Sequence, residues 1–209
     1  MRLIAHRGFW LNPSEKNTSI AFARAFECGF GIETDFRDLN GRLVVSHDVP
    51  GSDALSIEDF ITLYKATTNP GLMALNIKAD GLQWLVKEMV KASGMKDYFV
   101  FDMSVPDMRE YFSNGIPVFT RLSEYETPPA FLNASAGVWL DAFENEWYDI
   151  QVLNDLLKKK KLVAIVSPEL HGRDHNYLWE FLKSNQLFKN PLISLCTDFP
   201  MEAKEYFHV

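Results

Sequence analysis

The chain is poor in cysteine, with two thiols, Cys28 and Cys196, in 209 residues. They lie far apart, so they suggest neither a metal-type pair nor a disulfide framework. Long hydrophobic runs are also missing. Stretches such as Leu162–Val166 fall far short of the ~18 apolar residues of a membrane helix, so no transmembrane segment is expected. There is no excess of positive charge: 21 Lys and Arg stand against 28 Asp and Glu, a net charge of −7. That balance argues against a nucleic-acid partner. It does not exclude an anionic substrate, because a few local cations can dominate one cleft. The opening residues Met1-Arg2-Leu3-Ile4-Ala5-His6-Arg7 lack the apolar stretch of about 7–15 residues of a signal peptide, so the expected location is cytoplasmic. No GxGxxG or GxxxxGK[ST] pattern follows a strand, which weakens a nucleotide-binding sheet. Low-complexity linkers are lacking too, and residues 1–209 are expected to form a single domain.

What is present is a globular balance, 47% hydrophobic and 23% charged. Short β-rich runs alternate with amphipathic stretches. Strands are predicted over Arg2–Ala5, Gly31–Phe36, Leu72–Ile77, Tyr98–Phe101, Val118–Thr120, Gly137–Leu140, Leu162–Val166 and Leu192–Leu195. A strand-like extension, Arg42–Ser46, follows the Asn40-Gly41 turn. Helices are predicted over Thr18–Cys28, Ser56–Ala66, Gly81–Ala92, Pro106–Phe112, Asp149–Lys158, His175–Lys183 and Met201–Phe207. Asn17 or Thr18 and then Ser56 are the candidate caps. The stretch holding Pro128 and Pro129 has little periodicity. Eight strands alternating with helices predict an α/β fold, a compact single (β/α)8 TIM barrel with parallel strands.

Sites in such barrels lie at the C-terminal strand ends. Those ends carry His6-Arg7-Gly8, Glu33 and Asp35, Ser46-His47-Asp48, Asn76-Ile77-Lys78, Asp102, Asp141, Glu169 and Thr197-Asp198. Glu33 and Asp35, two apart on a strand, face the same way. Two such carboxylates repel unless a cation neutralises them, and hard oxygen ligands suit Mg²⁺ or Ca²⁺. The alternative is a solvated edge strand, with Ile32, Thr34 and Phe36 as its other face. His6 and His47 each end a strand-like run, and imidazole can give or take a proton near neutrality. Arg7 presents a planar fork that matches phosphate oxygens, and Lys78 a point charge. Buried ion pairing is the structural alternative for both. After the seventh strand, Glu169, His171 and Arg173 are placed for substrate contact or as surface charges of a helix-entry loop. Trp139, Trp147, Tyr148 and Trp179 read as core, and Trp10 as a residue lining the cleft.

Ile4-Ala5-His6-Arg7-Gly8, Asn17-Thr18 leading into Ala21-Phe22, Ile32-Glu33-Thr34-Asp35, and Val44-Val45-Ser46-His47-Asp48 resemble the glycerophosphodiester phosphodiesterase family. The same order recurs in the wider superfamily of phosphatidylinositol-phospholipase-C-like phosphodiesterases. The strong match covers about the first quarter of the chain, and Lys78 and Thr197-Asp198-Phe199-Pro200 extend it more weakly. The resemblance implies a (β/α)8 barrel that cleaves a small-molecule phosphodiester with one divalent cation. By position, His6 and His47 would be the acid–base pair, Glu33 and Asp35 metal ligands, and Arg7 and Lys78 phosphate holders. Two departures stand out. Asn76 occupies the place of a third acidic ligand, and its carbonyl oxygen can still ligate a hard cation. Asp80, Asp102 or Glu169 are alternative carboxylates. The family's insertion after the His-Asp element, which contributes to glycerol recognition, is reduced here to Val49–Leu55. Two readings follow: a metal-dependent phosphodiesterase, or a non-catalytic binder of a phosphate ligand with a degraded metal site.

Overall fold

The computed structural model describes residues 1–209. The chain divides into two compact units, one of residues Ala5–Val118 and one of Met1–Ile4 with Phe119–Val209. Strand β1 (Arg2–His6) begins in the second and ends in the first.

The first unit continues with α1 (Ser19–Glu27), β2 (Gly31–Leu39), β3 (Arg42–Val45), β4 (Leu55–Ser56), α2 (Ile57–Ala66), β5 (Met73–Ile77), α3 (Gln83–Ser93), β6 (Tyr98–Phe101) and α4 (Val105–Ser113). β2, β5 and β6 are parallel neighbours, with Asp35 opposite Asn76 and Asn76 opposite Phe101. β3 turns back antiparallel on β2, placing Val45 opposite Phe36, and β4 pairs with β3. Beyond β6 the pairing shrinks to one parallel bridge, Val100 with Val118, so this edge is not a continuous ladder.

Three helices of this unit begin where a side chain supplies a missing acceptor for the first free N–H groups. Thr18 caps α1, Ser56 accepts from the Asp59 amide at 3.1 Å, and Ser104 caps α4. Their apolar faces pack on the sheet. Phe60 of α2 meets Phe22 of α1 and Phe36 of β2 edge-on, each at 5.7 Å between ring centres. Fully buried aromatics of this kind dominate core energetics.

The second unit runs β7 (Phe119–Leu122), β8 (Gly137–Leu140), α5 (Ile150–Lys158), β9 (Leu162–Val166), α6 (Asn176–Ser184), β10 (Ile193–Thr197) and α7 (Pro200–Phe207). β7 to β10 are successive parallel neighbours. No helix forms between β7 and β8, where Pro128 and Pro129 remove donors and fix φ. The chain therefore has the element order of a (β/α)8 fold, with β3 and β4 as an antiparallel addition and a fifth unit without a helix. No helix is long and apolar enough to cross a membrane.

Candidate active site

In the first unit, Glu33 and Asp35 of β2 lie beside Asn76 of β5 and the following Lys78, with His6 and Arg7 at the end of β1 and His47 just past β3. Parallel register explains much of this. Asp35 and Asn76 are cross-strand partners, Glu33 lies two residues before one, and Lys78 two residues after the other. All four side chains therefore share a face.

Asp35 is the centre of the cluster and is sealed from water. Its Oδ2 accepts from Asn17 Nδ2 at 2.8 Å and pairs with Arg7 Nε at 3.2 Å. Lys78 Nζ lies 3.5 Å from Oδ1 and 3.2 Å from Asp102 Oδ2. Glu33, 2% exposed, accepts from the Arg7 amide at 3.2 Å and from Asn76 Nδ2 at 3.1 Å. Its burial, with the Asp35 charge beside it, pushes its carboxyl up to about 8. The cause is the cost of holding two negative charges in a dry pocket.

The loop after β1 is held in an unusual conformation. Gly8 sits at φ +87, and a Cβ there would meet Ala21 Cβ at 2.8 Å, so only glycine lets this loop close on α1. Arg7, Asn17 and Asp102 all adopt left-handed backbone, with φ of 56, 60 and 74. Three non-glycine residues in that region around one carboxylate is the pattern of strain held for function.

His6 lies with Nε2 3.9 Å from Glu33 Oε2 and is largely buried. Trp10 Nε1 donates to the His6 carbonyl at 3.1 Å, which places Trp10 against the same loop as expected. His47 reaches the cluster by a different route. The β2–β3 hairpin folds back, and the Ser46 amide donates to the Asp35 carbonyl at 2.9 Å. His47 is the next residue, half-exposed, with Nδ1 2.8 Å from Asp48 Oδ1. A carboxylate only accepts, so Nδ1 is the donor in this contact.

Three oxygens on one face can take a hard cation: the carboxylates of Glu33 and Asp35 and the amide oxygen of Asn76. Asn76 Oδ1 and Asp35 Oδ1 are buried without a hydrogen-bond partner. Such orphaned acceptors fit a cation. No group of three His, Cys, Asp or Glu side chains is placed to hold a metal ion, and the third oxygen on this face is that of the Asn76 amide. Of the alternative carboxylates, Asp80 binds the Ser104 amide and hydroxyl, and Asp102 pairs with Lys78.

Glu169 belongs to the second unit. Its Oε1 accepts from the Thr197 hydroxyl and the Asp198 amide, and its Oε2 lies 4.0 Å from His175 Nδ1. Trp139 and Trp179 are core residues, as the sequence reading holds. Tyr148 and Trp147 are only half-buried and flank Asp141, which that reading missed. Asn17 was also missed as a site residue; its position before the Thr18 cap gave no hint of its bond to Asp35.

No protein-family model matches the chain, and no curated protein matches it by sequence. Solved structures do. A glycerophosphodiester phosphodiesterase from Agrobacterium tumefaciens aligns over 100% of both chains, with TM-score 0.70 and 13% identity. A phosphoribosyl anthranilate isomerase from Thermus thermophilus aligns over 100% of this chain and 97% of its own, with TM-score 0.56 and 14% identity. A Ca²⁺-dependent phosphatidylinositol-specific phospholipase C from Streptomyces antibioticus aligns over 97% and 95%, with TM-score 0.54 and 12% identity. These likenesses establish the fold, and the isomerase among them shows that the fold does not by itself fix the chemistry.

Proposed function

We propose that the protein is a metal-dependent phosphodiesterase acting on a small phosphodiester, of glycerophosphodiester type or a related lipid or glycan head group. The observation that supports this reading is the cluster of His6, Arg7, Glu33, Asp35 and Lys78 on neighbouring strands, with His47 next to the Ser46 amide that bonds the Asp35 carbonyl. The likeness to a glycerophosphodiester phosphodiesterase and to a phospholipase C supports it.

Glu33, Asp35 and Asn76 would hold one divalent cation, Mg²⁺ or Ca²⁺. When bound, that ion supplies Lewis-acid polarisation of a phosphoryl oxygen. Arg7 and Lys78 lie beside the carboxylates and can turn their charge to the phosphate, stabilising the charge that grows on it in the transition state. One histidine removes the proton from the attacking hydroxyl, either water or a neighbouring substrate hydroxyl that closes a cyclic phosphate. The other protonates the leaving alkoxide. The anchoring of His47 by Asp48 and the closeness of His6 to Glu33 hold both rings in defined orientations.

The test is turnover of an aryl phosphodiester by the wild type and by His6→Ala and His47→Ala. Each variant is expected to lose roughly 10²–10⁴-fold in rate. Retention of wild-type turnover by either removes that histidine from the mechanism.

A second reading is a binder of phosphate ligands without catalysis. It is favoured by one observation: Asn76 turns its amide nitrogen to Glu33 while Arg7 and Lys78 already neutralise Asp35. It predicts phosphodiester binding with no divalent-cation uptake and no turnover.

A further inference from the structure

Helix α3 buries one face and leaves another without a partner. Val86, Met89 and Ser93 turn to the core. On the other side Trp84, Lys87, Glu88 and Lys91 fall at i, i+3, i+4 and i+7, which is one continuous stripe on a helix. Of the five tryptophans only Trp84 is exposed, at 64%. Lys87, Glu88 and Lys91 are exposed beside it. Lys87 Nζ reaches Asn114 Oδ1 at 3.3 Å on the surface. No ion pair or ring contact ties down Trp84, Glu88 or Lys91. A groove of about 510 Å³ runs along the stripe, with Val90, Tyr98 and Ile116 in its wall. All of these residues belong to the first unit.

An exposed tryptophan beside a groove has the composition of an interface centre rather than of a solvated helix face. The charges then choose the occupant. A chain of net charge −7 repels acidic partners, its own copies included, unless contact is made through a patch that is not acidic. This stripe carries two lysines and one glutamate. Glu88 in its middle counts against an anionic membrane, which attracts an unbroken basic surface.

The order of the charges fits a second copy of the chain. A two-fold axis between residues 87 and 88 makes two α3 helices antiparallel. It sets Lys87 against the partner's Glu88 and Trp84 against the partner's Lys91, each contact occurring twice. The first is a pair of opposite charges, and the second places an ammonium on an indole face. The stripe is therefore complementary to itself. We propose that α3 is a self-association surface, pairing antiparallel with α3 of a second copy in a two-fold dimer.

Sedimentation velocity of the full chain over a concentration series tests this. One helix pair with its flanking groove is a small interface, so the expected result is a reversible dimer with a micromolar dissociation constant. Trp84→Ser should raise that constant at least about tenfold, as loss of a central aromatic does. Lys87→Glu and Glu88→Lys should each raise it by a similar factor, because each sets like charges together at both contacts. Net charge alone predicts the opposite for Glu88→Lys, which makes the chain less acidic. The double variant Lys87→Glu/Glu88→Lys should return to wild-type association, since the two charges only change places across the axis. These positions are exposed, and thermal melts establish that each variant is folded. The readout is mass, so failure of the phosphodiesterase reading leaves it untouched, and the reverse holds too. Any of three results would overturn the surface: a monomer at every concentration, a dimer indifferent to Trp84→Ser, or a double variant that associates no better than the single charge reversals.

Discussion

A carboxylate with no exposure to water stays ionised only if neighbouring charge replaces its hydration. Asp35 is in that position, and Arg7, Lys78 and Asn17 are the replacement. In the proposed cation site, Asn76 would contribute an oxygen but no charge. Asn76→Asp should raise Mg²⁺ or Ca²⁺ affinity by roughly tenfold, since affinity follows the number of charged ligands. Calorimetry on the apo protein reads this directly, and an unchanged affinity would place the cation elsewhere. Lys78→Met should lower kcat/KM by about 10²-fold, the usual cost of one transition-state contact. A change confined to KM would assign Lys78 to ground-state binding instead. The chemistry-bearing residues were legible one by one because each lies on or just after a predicted strand. Their pairings were not: Asn17 reaches Asp35 and Asp102 reaches Lys78 across 18 and 24 residues.

At the scale of elements, helix starts were the most legible feature because capping is local. Ser56 and Asp59 bond each other reciprocally, as their three-residue spacing suggests. Ser56→Ala should cost about 1 kcal/mol in a denaturant melt. β2 was harder to read. It runs on to Leu39, three residues past the expected end, because Arg37, Asp38 and Leu39 pair with β3 rather than with the core. That extension matters, since the hairpin it forms sets Ser46, the residue before His47, against the Asp35 backbone. The loop after β1 gives a sharper prediction. Gly8→Ala adds a methyl 2.8 Å from Ala21 Cβ at a positive φ, so stability should fall by more than about 1 kcal/mol. Turnover should fall with it, because Gly8 follows His6 and Arg7 directly. Unchanged activity in a folded variant would detach the loop geometry from catalysis. The missing fifth helix was visible as lost periodicity around Pro128 and Pro129, whereas the contact between Asp141 and His171, 30 residues apart, was not.

For the whole molecule, a net charge of −7 coexists with a site built around Arg7 and Lys78, so the overall acidic balance says little about the charge of the ligand. The element order was legible because α/β alternation is periodic, whereas the reaction is a property of side chains that meet only when the strands align. A ligand that binds only the folded state stabilises it, so a saturating divalent cation should raise the melting temperature, and EDTA should reverse the rise. The most direct test of the central claim is ³¹P NMR of a panel of phosphodiesters incubated with the protein, with and without EDTA. The prediction is loss of at least one diester resonance, with a monoester or cyclic phosphate in its place, and suppression of that change by EDTA. Diesters that remain intact in the presence of Mg²⁺ and Ca²⁺, or cleavage that EDTA leaves unaltered, would contradict a metal-dependent phosphodiesterase.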